Sequence, residues 1–312
     1  MTSLIAGVGY IGSALALDLL RGGERVIGLD NFYSSNRESS VLLSRAGDLQ
    51  MIEADLRDRR SLRRAGSPGI DVAYLLAAQA SADDRSIPIA LTEDVNLRGA
   101  RQFFEVCVEA GVSRIVVAGS MRIYGQPLPE LVREDTPYGV QRDYTHLSKV
   151  YLEHLARLFV AVHGLHITVV RIGVVHGPSP MMKDDPRFMT VLNRFCRQAV
   201  AGELLTIHPG AGYVPLIHID EVVGGLRQAA EREWPGFRAV NLAGDLVGLD
   251  ELAETVRATA MDLGLNVQVS GAAEASLRRP RVFSSLARPP EGARRSVVAS
   301  VREMIDYYRA RG

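Results

Sequence analysis

The chain has only two cysteines and two lysines among its 312 residues. Cys107 and Cys196 stand alone within helix-like sequence, which excludes a disulfide framework or a cysteine-rich metal site and indicates buried free thiols. The seven histidines show no ligand spacing, so we expect no bound metal. Every basic residue other than Lys149 and Lys183 is arginine, and this rarity makes the position of Lys149 informative.

Net charge and long hydrophobic runs are also missing. The 36 basic and 36 acidic residues cancel, so nothing in the overall charge favours nucleic acid or an anionic membrane as a partner. No apolar run approaches the ~20 residues that a membrane span needs. Strand-like sequence begins at Leu4, which leaves no room for a signal peptide. We therefore expect a cytoplasmic protein that acts on a small molecule.

A glycine-rich turn near the N-terminus is the first informative motif. It reads Ala6-Gly7-Val8-Gly9-Tyr10-Ile11-Gly12, follows a short apolar run and opens into a helical stripe. This strand-turn-helix context is what a dinucleotide-binding turn requires. Glycines let the backbone approach a pyrophosphate, and the helix start directs free amides and its positive dipole end towards it. The residues expected to bind a cofactor here are Gly7, Gly9, Tyr10, Ile11 and Gly12.

Asp30 supplies the second element of a dinucleotide site. It ends a strand-like run, eighteen positions after Gly12. That spacing suits a carboxylate that binds the ribose hydroxyls of an adenosine. Because an acid repels a 2′-phosphate, NAD is favoured over NADP. The alternative is a glycine turn and an unrelated surface aspartate, which the ordered set of motifs disfavours.

Strand-like runs alternate with helical patterns along the first half of the chain. Such alternation predicts an α/β fold with a Rossmann-type, doubly wound parallel sheet whose ligands bind at the carboxyl ends of the strands. The predicted strands are 4–6, 26–30, 50–53, 72–76, 115–118 and 167–172, and the predicted helices are 11–21, 58–65, 92–110, 145–163 and 187–201.

These motifs together resemble the extended short-chain dehydrogenase/reductase superfamily, in its nucleotide-sugar epimerase and dehydratase branch. Collinear segments carry the resemblance: 53–58, 76–81, 94–96, 118–125, 148–153, 218–222 and 241–244. It implies an NAD-binding Rossmann domain, 1–172 with 213–243, and a smaller C-terminal α/β substrate domain, 173–212 with 244–312. It also implies cofactor contacts from Asn31, Asp55, Leu56, Leu76, Ala77, Ala78, Asn96 and Ala118.

The resemblance assigns the chemistry to Ser120, Tyr144 and Lys149. In the family, the tyrosine is the acid/base on a sugar hydroxyl while a hydride passes to the nicotinamide. A free phenol, with a pKa near ~10, is a poor base at neutral pH. A nearby ammonium group and the nicotinamide cation favour the phenolate. The alternative for Ser120 is that it only caps the end of a strand.

The position of the tyrosine departs from the family pattern. Tyr144 lies five residues before Lys149, whereas the family has four, a position that Thr145 holds here. Residues four apart on a helix are offset by about 40° and residues five apart by about 140°. Tyr144 reaches the site if it precedes the first turn of the helix or if a π-bulge absorbs the extra residue. The interval from Asp135 to Tyr144 favours this, because the family has the same interval between its acidic segment and its tyrosine. Otherwise Thr145 takes the tyrosine position, and His146 or a substrate group must accept the proton.

The substrate side departs further from the family. Met121 and Arg122 replace the acidic pair of family 4,6-dehydratases, which argues against that reaction. The family's diphosphate-binding asparagine and arginine are missing around Val174 and Val214, although Arg279 could compensate. The candidate substrate contacts are Ser81, Met121, Arg122, His176 and Arg279.

Three functions remain open. The first is a nucleotide-sugar epimerase that transiently oxidises a hydroxyl with tightly held NAD. The second is an NAD-dependent dehydrogenase, reductase or non-4,6 dehydratase of a small metabolite or sugar, and the third is an NAD-binding pseudoenzyme. Extra apolar positions on helices 92–110 and 145–163, whose family equivalents pair two subunits, imply a homodimer.

Overall fold

The computed structural model describes residues 1–66, 69–81, 87–183, 185–207, 212–232, 234–271, 278–286 and 295–311. In chain order its strands are β1 Thr2–Ala6, β2 Arg25–Asp30, β3 Leu49–Glu53, β4 Val72–Leu75, β5 Arg114–Ser120, β6 Leu131–Val132, β7 His166–Ile172, β8 Val174–His176, β9 Leu205–Thr206, β10 Tyr213–His218, β11 Phe237–Leu242, β12 Asp245–Gly248, β13 Val269–Ser270 and β14 Arg281–Val282.

Helices connect most of these strands. They are α1 Tyr10–Arg21, α2 Glu38–Ser44, α3 Arg59–Arg63, α4 Ile89–Thr92, α5 Ala100–Glu109, α6 Tyr144–His163, α7 Val191–Ala201, α8 Ile219–Glu231, α9 Leu249–Asp262 and α10 Val297–Arg309. A π-helix, Glu93–Gly99, joins α4 to α5, and a 3-10 helix, Met121–Tyr124, follows β5. Over the described ranges, none of the helices combines the length and apolar character needed to cross a membrane.

Seven strands form a parallel sheet in the order β11-β7-β5-β4-β1-β2-β3. Side chains alternate between two apolar layers, as the two-residue period of a strand requires. Ile5 and Val26 face the layer that includes α1 and α8, while Leu4 and Ile27 face the layer that includes α5 and α6. The predicted doubly wound sheet is confirmed, and the two cysteines are buried free thiols within these layers.

A second, three-stranded sheet lies beside the first, in the order β12-β10-β8. Strand β10 pairs in parallel with β8 and antiparallel with β12. The predicted domain division placed residues 213–218 in the cofactor domain, whereas their pairing joins them to the second sheet. The division into two domains stays a prediction, and this strand lies on the substrate side of it.

Local sequence explains where the predicted helices differ from the observed ones. The predicted helix 92–110 corresponds to the end of α4, the π-helix and α5. Over Glu93–Gly99 the backbone hydrogen bonds span five residues rather than the four of an α-helix. The last predicted helix, 187–201, begins only at Val191, because Thr190 has an extended backbone. The sequence prediction did not include α2, α8, α9 or α10.

A buried ion pair fixes α6 to the sheet. Arg171 on β7 is 2% exposed and Glu153 on α6 is 0% exposed. Arg171 donates from Nε and Nη2 to the two carboxylate oxygens of Glu153, each at 2.8 Å. Tyr138 donates to the same carboxylate at 2.8 Å, and the Glu134 carbonyl accepts from Arg171 at 2.7 Å. Every charged atom of the pair therefore has a partner, which is the condition for burying charge.

We expect Glu153→Ala to lower the free energy of unfolding by about 3–5 kcal/mol, because it leaves the Arg171 guanidinium buried without its counter-ion. Denaturant titration of the purified protein measures this. Glu254→Ala is the matched control, since it removes the carboxylate of an exposed pair with Arg257. It should leave the unfolding midpoint within error of the wild type. If Glu153→Ala and Glu254→Ala unfold at the same denaturant concentration, the pair of Arg171 and Glu153 does not hold α6 to the sheet.

Candidate cofactor-binding and active-site cleft

A cleft of ≈ 330 Å³ opens at the carboxyl ends of β1, β2, β4 and β5. Ligands of parallel sheets bind at this edge, where the strands turn into helices. Fourteen of the predicted cofactor residues line it: Gly7, Gly9, Tyr10, Ile11, Gly12, Asp30, Asn31, Asp55, Leu56, Leu76, Ala77, Ala78, Ala118 and Lys149. Ser120 lines it as well.

The glycine turn is packed too tightly for side chains at two of its three glycines. Gly7 has a φ of +96°, and a Cβ there would lie 2.4 Å from the Ala77 backbone nitrogen. A Cβ on Gly12 would lie 1.9 Å from the Gly7 carbonyl oxygen. Gly9, at the N-cap of α1, meets no atom within 4 Å and provides no side chain to cap the helix. The turn thus presents the amide end of α1 to the cleft, which fits a pyrophosphate.

The acidic end of the cleft is held by local hydrogen bonds. Asp30 Oδ1 accepts from the Phe32 amide at 2.8 Å and from the Ser35 hydroxyl at 2.6 Å. Asp30 Oδ2 makes no hydrogen bond within the part of the chain that is described, so one carboxylate oxygen is available to ribose hydroxyls. This arrangement fits the adenosine half of NAD.

Asp55 lies beside Asp30 and is bound on two sides. It forms a two-pronged ion pair with Arg57, and Asn31 Nδ2 donates to Asp55 Oδ2 at 2.8 Å. The hydrogen bond from Arg57, opposed by partial burial, holds the pKa of Asp55 well below its usual range. Arg57 also lines the cleft and was not predicted from the sequence. The carboxylate of Asp55 therefore stays ionised at any physiological pH.

Lys149 and Ser120 form the opposite wall. Lys149 Nζ donates to the Ala118 carbonyl at 2.9 Å, and desolvation lowers the pKa of Lys149 to about 8. Ser120 Oγ accepts from the Arg122 amide at 3.1 Å and caps the 3-10 helix. Ser120 thus caps the 3-10 helix and also lines the cleft, and its catalytic role stays a prediction.

Asn96 lies behind the cleft rather than in its lining. Its side chain accepts from the Gln79 amide at 2.8 Å and donates to the Gln79 carbonyl at 2.9 Å and to Ser148 Oγ at 2.9 Å. The cofactor contact predicted for Asn96 is therefore not direct in this geometry. Asn96 instead orients Gln79, which lines the cleft and whose buried Nε2 has no hydrogen-bond partner among the described residues. The sequence prediction did not include Gln79.

Tyr144 lies outside the cleft lining, at the first position of α6, and is 43% exposed. Thr145 and His146 line the cleft with Lys149 instead. The helix is α-helical from Tyr144 to His163, so the π-bulge expected here is absent from this described helix. Its start is set by Asp143, whose carboxylate accepts from the His146 amide at 2.8 Å. The catalytic role of Tyr144 stays a prediction, and this placement does not support it.

The five predicted substrate residues do not line the cleft. Ser81, at 3% exposure, uses its carbonyl to accept from Thr145, and Met121, at 1%, packs in a small apolar cluster. His176 is buried against the ring of His218, and Arg279 pairs with Glu251 on the surface. Arg122 is half-buried, and burial lowers the pKa of its guanidinium. Their substrate contacts stay predictions.

Lys183, one of the two lysines of the chain, was not predicted as a site residue. It lines the cleft, with its ammonium group 5.8 Å from the centre of the Tyr10 ring. Desolvation lowers the pKa of Lys183 to about 8. No hydrogen bond or ion pair to Lys183 occurs among the described residues. An anion beside the start of α1 would give this ammonium group a partner.

The first turn of α1 is tied to the second sheet by hydrogen bonds. Tyr10 donates to the Gly177 carbonyl at 2.6 Å, and Asn193 Nδ2 donates to the Tyr10 hydroxyl at 3.1 Å. Ser13 and Ser179 join their hydroxyls at 3.0 Å. Burial of the Tyr10 phenol raises its pKa, so the group stays protonated. The helix that follows the glycine turn is therefore bonded directly to the segment after β8 and to α7.

The fold and cleft are those of a Rossmann-type dinucleotide-binding protein. The model of a family described as the NAD dependent epimerase/dehydratase family matches residues 3–243. The chain belongs to this family, which confirms the resemblance inferred from the motifs. The family description and the fit of the glycine turn and Asp30 confirm the prediction of NAD as cofactor.

Similarity to characterised proteins is modest in identity and broad in extent. The UDP-glucose 4-epimerase of Bacillus subtilis is 28% identical over 243 residues, 72% of this chain and 71% of that protein. The UDP-N-acetyl-alpha-D-glucosaminuronate decarboxylase of Bacillus cytotoxicus is 28% identical over 216 residues, 66% of this chain and 63% of that protein. The crystal structure of UDP-glucose 4-epimerase from Thermotoga maritima with UDP-glucose has the same fold, with a TM-score of 0.84, 21% identity and coverage of 100% and 99% of the two chains.

Two glycines of the turn should respond differently to the same added methyl group. Gly12→Ala should lower the melting temperature of the cofactor-free protein, because its Cβ collides with backbone. Gly9→Ala should leave that temperature nearly unchanged but weaken NAD binding by at least ~10-fold, about 1.4 kcal/mol, because its Cβ projects into the space before α1. Thermal melting and calorimetric titration with NAD measure both effects. Unchanged NAD affinity in Gly9→Ala would argue against a pyrophosphate at this turn.

Proposed function

We propose that this protein is an NAD-dependent nucleotide-sugar epimerase that transiently oxidises a sugar hydroxyl and restores it on the opposite face. The observation that carries the proposal is a single cleft in which the glycine turn and Asp30 lie opposite Ser120 and Lys149. NAD, when bound, supplies a hydride acceptor that can return the hydride. Keeping the cofactor bound through both half-reactions needs contacts along its whole length, and the cleft offers them from Asp55 to Lys149.

The protein residues have separable roles in this proposal. The start of α1 holds the pyrophosphate, Asp30 Oδ2 binds the adenosine ribose, and the Lys149 ammonium binds the nicotinamide ribose. Ser120 Oγ offers a hydrogen bond to the substrate hydroxyl. Ala118, whose carbonyl accepts from Lys149 at 2.9 Å, keeps that ammonium group against the wall of the cleft.

A nucleotide diphosphate is supported as part of the substrate by the charge of Lys183. The family's diphosphate contacts are replaced around Val174 and Val214, and both of these residues pair within the second sheet. Lys183 is a cation on the cleft wall that has no anionic partner among the described residues, and Phe188 lines the same wall. In this proposal the ammonium group has two anions within the cleft to bind, the NAD pyrophosphate at the start of α1 and a substrate diphosphate beside it. The UDP-glucose and UDP-sugar acid relatives make UDP-sugars the first substrates to test.

A second candidate keeps the cofactor and changes the substrate. Val214 is 4% exposed and carries no charge, so it cannot bind a diphosphate as the arginine of the family does. A dehydrogenase, reductase or non-4,6 dehydratase of a small metabolite or sugar would need no diphosphate contact. A net absorbance change at 340 nm distinguishes a dehydrogenase or reductase, because steady-state epimerisation regenerates NAD each turnover. A dehydratase also regenerates NAD, and the loss of water from its product, measured by mass spectrometry, distinguishes it.

A third candidate, an NAD-binding pseudoenzyme, is favoured by one observation. Tyr144, the acid/base that the family pattern implies, lies outside the cleft lining. Turnover of any substrate would exclude this candidate.

We also propose that the protein is located in the cytoplasm.

We further propose a homodimer that forms through α6. Four of its exposed apolar side chains define a stripe: Leu147, Tyr151, Leu158 and Val162, with exposures of 51%, 39%, 56% and 63%. At 100° per residue they lie within about 60° of arc. An exposed apolar stripe on one helix is typical of a surface that pairs with another.

NAD should remain bound through purification and be released on denaturation. Incubation with UDP-glucose should give a C4-epimerised product, detected by chromatography, without a steady-state change at 340 nm. UDP-glucuronic acid and a simple sugar are the comparison substrates. A steady rise at 340 nm would favour the dehydrogenase candidate, and complete inertness towards a UDP-sugar panel would overturn the epimerase proposal.

The dimer is tested by introducing charge into the α6 stripe. Leu158→Glu combined with Val162→Glu should convert the protein to a monomer, measured by light scattering after size-exclusion chromatography, because two carboxylates would be buried at the interface. Val298→Glu, at an exposed apolar position on α10, is the matched control. A monomeric wild type, or an unchanged mass for the α6 variant, contradicts the proposed interface.

A further inference from the structure

We propose that His146, oriented by Asp143, moves the proton of the substrate hydroxyl in this cleft and takes the role that the family gives to tyrosine. The inference rests on the proposed function, since it needs an oxidisable hydroxyl beside the cofactor. It concerns this chain's own departure from its family, the one-residue shift between Tyr144 and Lys149.

Helix geometry selects the residues that share the cleft with Lys149. Thr145 is about 40° from Lys149 around the axis of α6 and His146 about 60°, whereas Tyr144 is about 140° away. The structure agrees with this projection, because Thr145, His146 and Lys149 line the cleft and Tyr144 does not. A rigid α-helix leaves no rotation that would bring Tyr144 to the same wall.

Thr145 occupies the family's tyrosine position but is not equipped for proton transfer. Its side chain is 3% exposed, and its hydroxyl already donates to the Ser81 carbonyl at 2.7 Å. Gln79 Oε1 lies 3.3 Å from the same oxygen. An aliphatic hydroxyl is also far too weak an acid to act as a base at neutral pH. Thr145 therefore holds the Ser81 segment in place and leaves the space that a phenol would fill.

Asp143 fixes the orientation of His146. One carboxylate oxygen accepts from the His146 backbone amide at 2.8 Å and the other lies 2.5 Å from His146 Nδ1. Asp143 is partly buried, which would raise its pKa, but its hydrogen bonds to His146 and the positive charges of His146 and Arg122 lower it overall. An ionised carboxylate only accepts hydrogen bonds, so Nδ1 carries the hydrogen. In the neutral imidazole, Nε2 then holds the free lone pair.

The surroundings of the imidazole suit a proton acceptor. No hydrogen bond to His146 Nε2 occurs among the residues that the structure describes, and the side chain is 20% exposed. In the described part of the chain, the charged side chains near it include Asp143, which caps α6, Lys149 on α6 and Arg122 on the 3-10 helix. An imidazole with a free ring nitrogen is the side chain that most often accepts a proton in enzyme active sites.

The proton step balances within the proposed reaction. The substrate hydroxyl gives its proton to Nε2, the hydrogen on the adjacent carbon leaves with its electron pair to the oxidised cofactor, and a carbonyl forms. On return of the hydride, the same oxygen takes the proton back from the imidazolium. No net proton is gained or lost, and Asp143 stabilises the imidazolium in between.

Activity is compared for four variants with UDP-glucose and UDP-glucuronic acid. His146→Gln should lower kcat by roughly 10²–10⁴-fold while NAD stays bound. Asp143→Asn should lower kcat to a similar extent with little change in KM. Tyr144→Phe and the matched control His154→Gln, an exposed histidine on the same helix, should stay near the wild-type rate. A large loss in Tyr144→Phe with an active His146→Gln would overturn the inference.

Asp143→Asn also separates orientation from structure. An asparagine can still cap α6 with its carbonyl, but its NH2 group then faces Nδ1 and moves the ring hydrogen to Nε2. Nitrogen-15 NMR of the NAD-loaded protein reads this directly, with His146→Gln used to assign the resonances. Nδ1–H in the wild type and Nε2–H in Asp143→Asn support the inference, and Nε2–H in the wild type overturns it.

The two measurements keep the inference distinct from the proposed function. If no UDP-sugar is turned over, the epimerase proposal fails and the ring-nitrogen resonances decide the state of His146 by themselves. If UDP-sugars are turned over with normal rates in both His146→Gln and Asp143→Asn, the epimerase proposal stands and His146 is not the acid/base.

Discussion

The ion pair between Arg171 and Glu153 is the interaction on which the position of the active-site wall depends. Glu153 lies one helical turn after Lys149, which lies one turn after Thr145, so all three occupy one face of α6. The pair sits at the bottom of that face, where both charges are buried and bonded. At the other end, Asp143 determines where the helix starts. Between these two points the rotation of α6 is fixed, and with it the side chains that meet the cofactor.

Much of the cofactor half could be read from the sequence because its signals are local. The glycine turn, the strand before it and Asp30 each depend on a few neighbouring residues, and the structure places them in one cleft. The residues that line the cleft beside Lys149 could not be read from the sequence, because they depend on where α6 begins and therefore on which of its side chains face the cleft. A start at Asp143 turns Tyr144 outwards, and only the observed hydrogen bond to the His146 amide reveals that start. Gln79 and Lys183 were not predicted for another reason. Their side-chain nitrogens are desolvated and have no hydrogen-bond partner among the described residues, and a sequence does not express that property.

A histidine–aspartate pair changes what the neighbouring lysine has to do. In a tyrosine mechanism the ammonium group lowers the pKa of the phenol, so its charge is part of the base. In the proposed histidine mechanism the base is an imidazole oriented by Asp143, so the charge of Lys149 is not part of the base. Lys149 is then a ligand of the ribose first. The desolvated ammonium group, bonded to the Ala118 carbonyl, is suited to that narrower role.

The hydrogen bonds from Tyr10 and Ser13 to the second sheet have a thermodynamic consequence. Because one turn of helix both faces the pyrophosphate and holds Gly177 and Ser179, any ligand that orders this turn also orders the segment beyond it. The free energy of binding on one side is thereby shared with the other, and linkage makes the effect reciprocal. In the proposed epimerase, NAD bound at this turn therefore also stabilises the segment that carries Gly177 and Ser179, so the cofactor has a structural role beside its role as hydride acceptor.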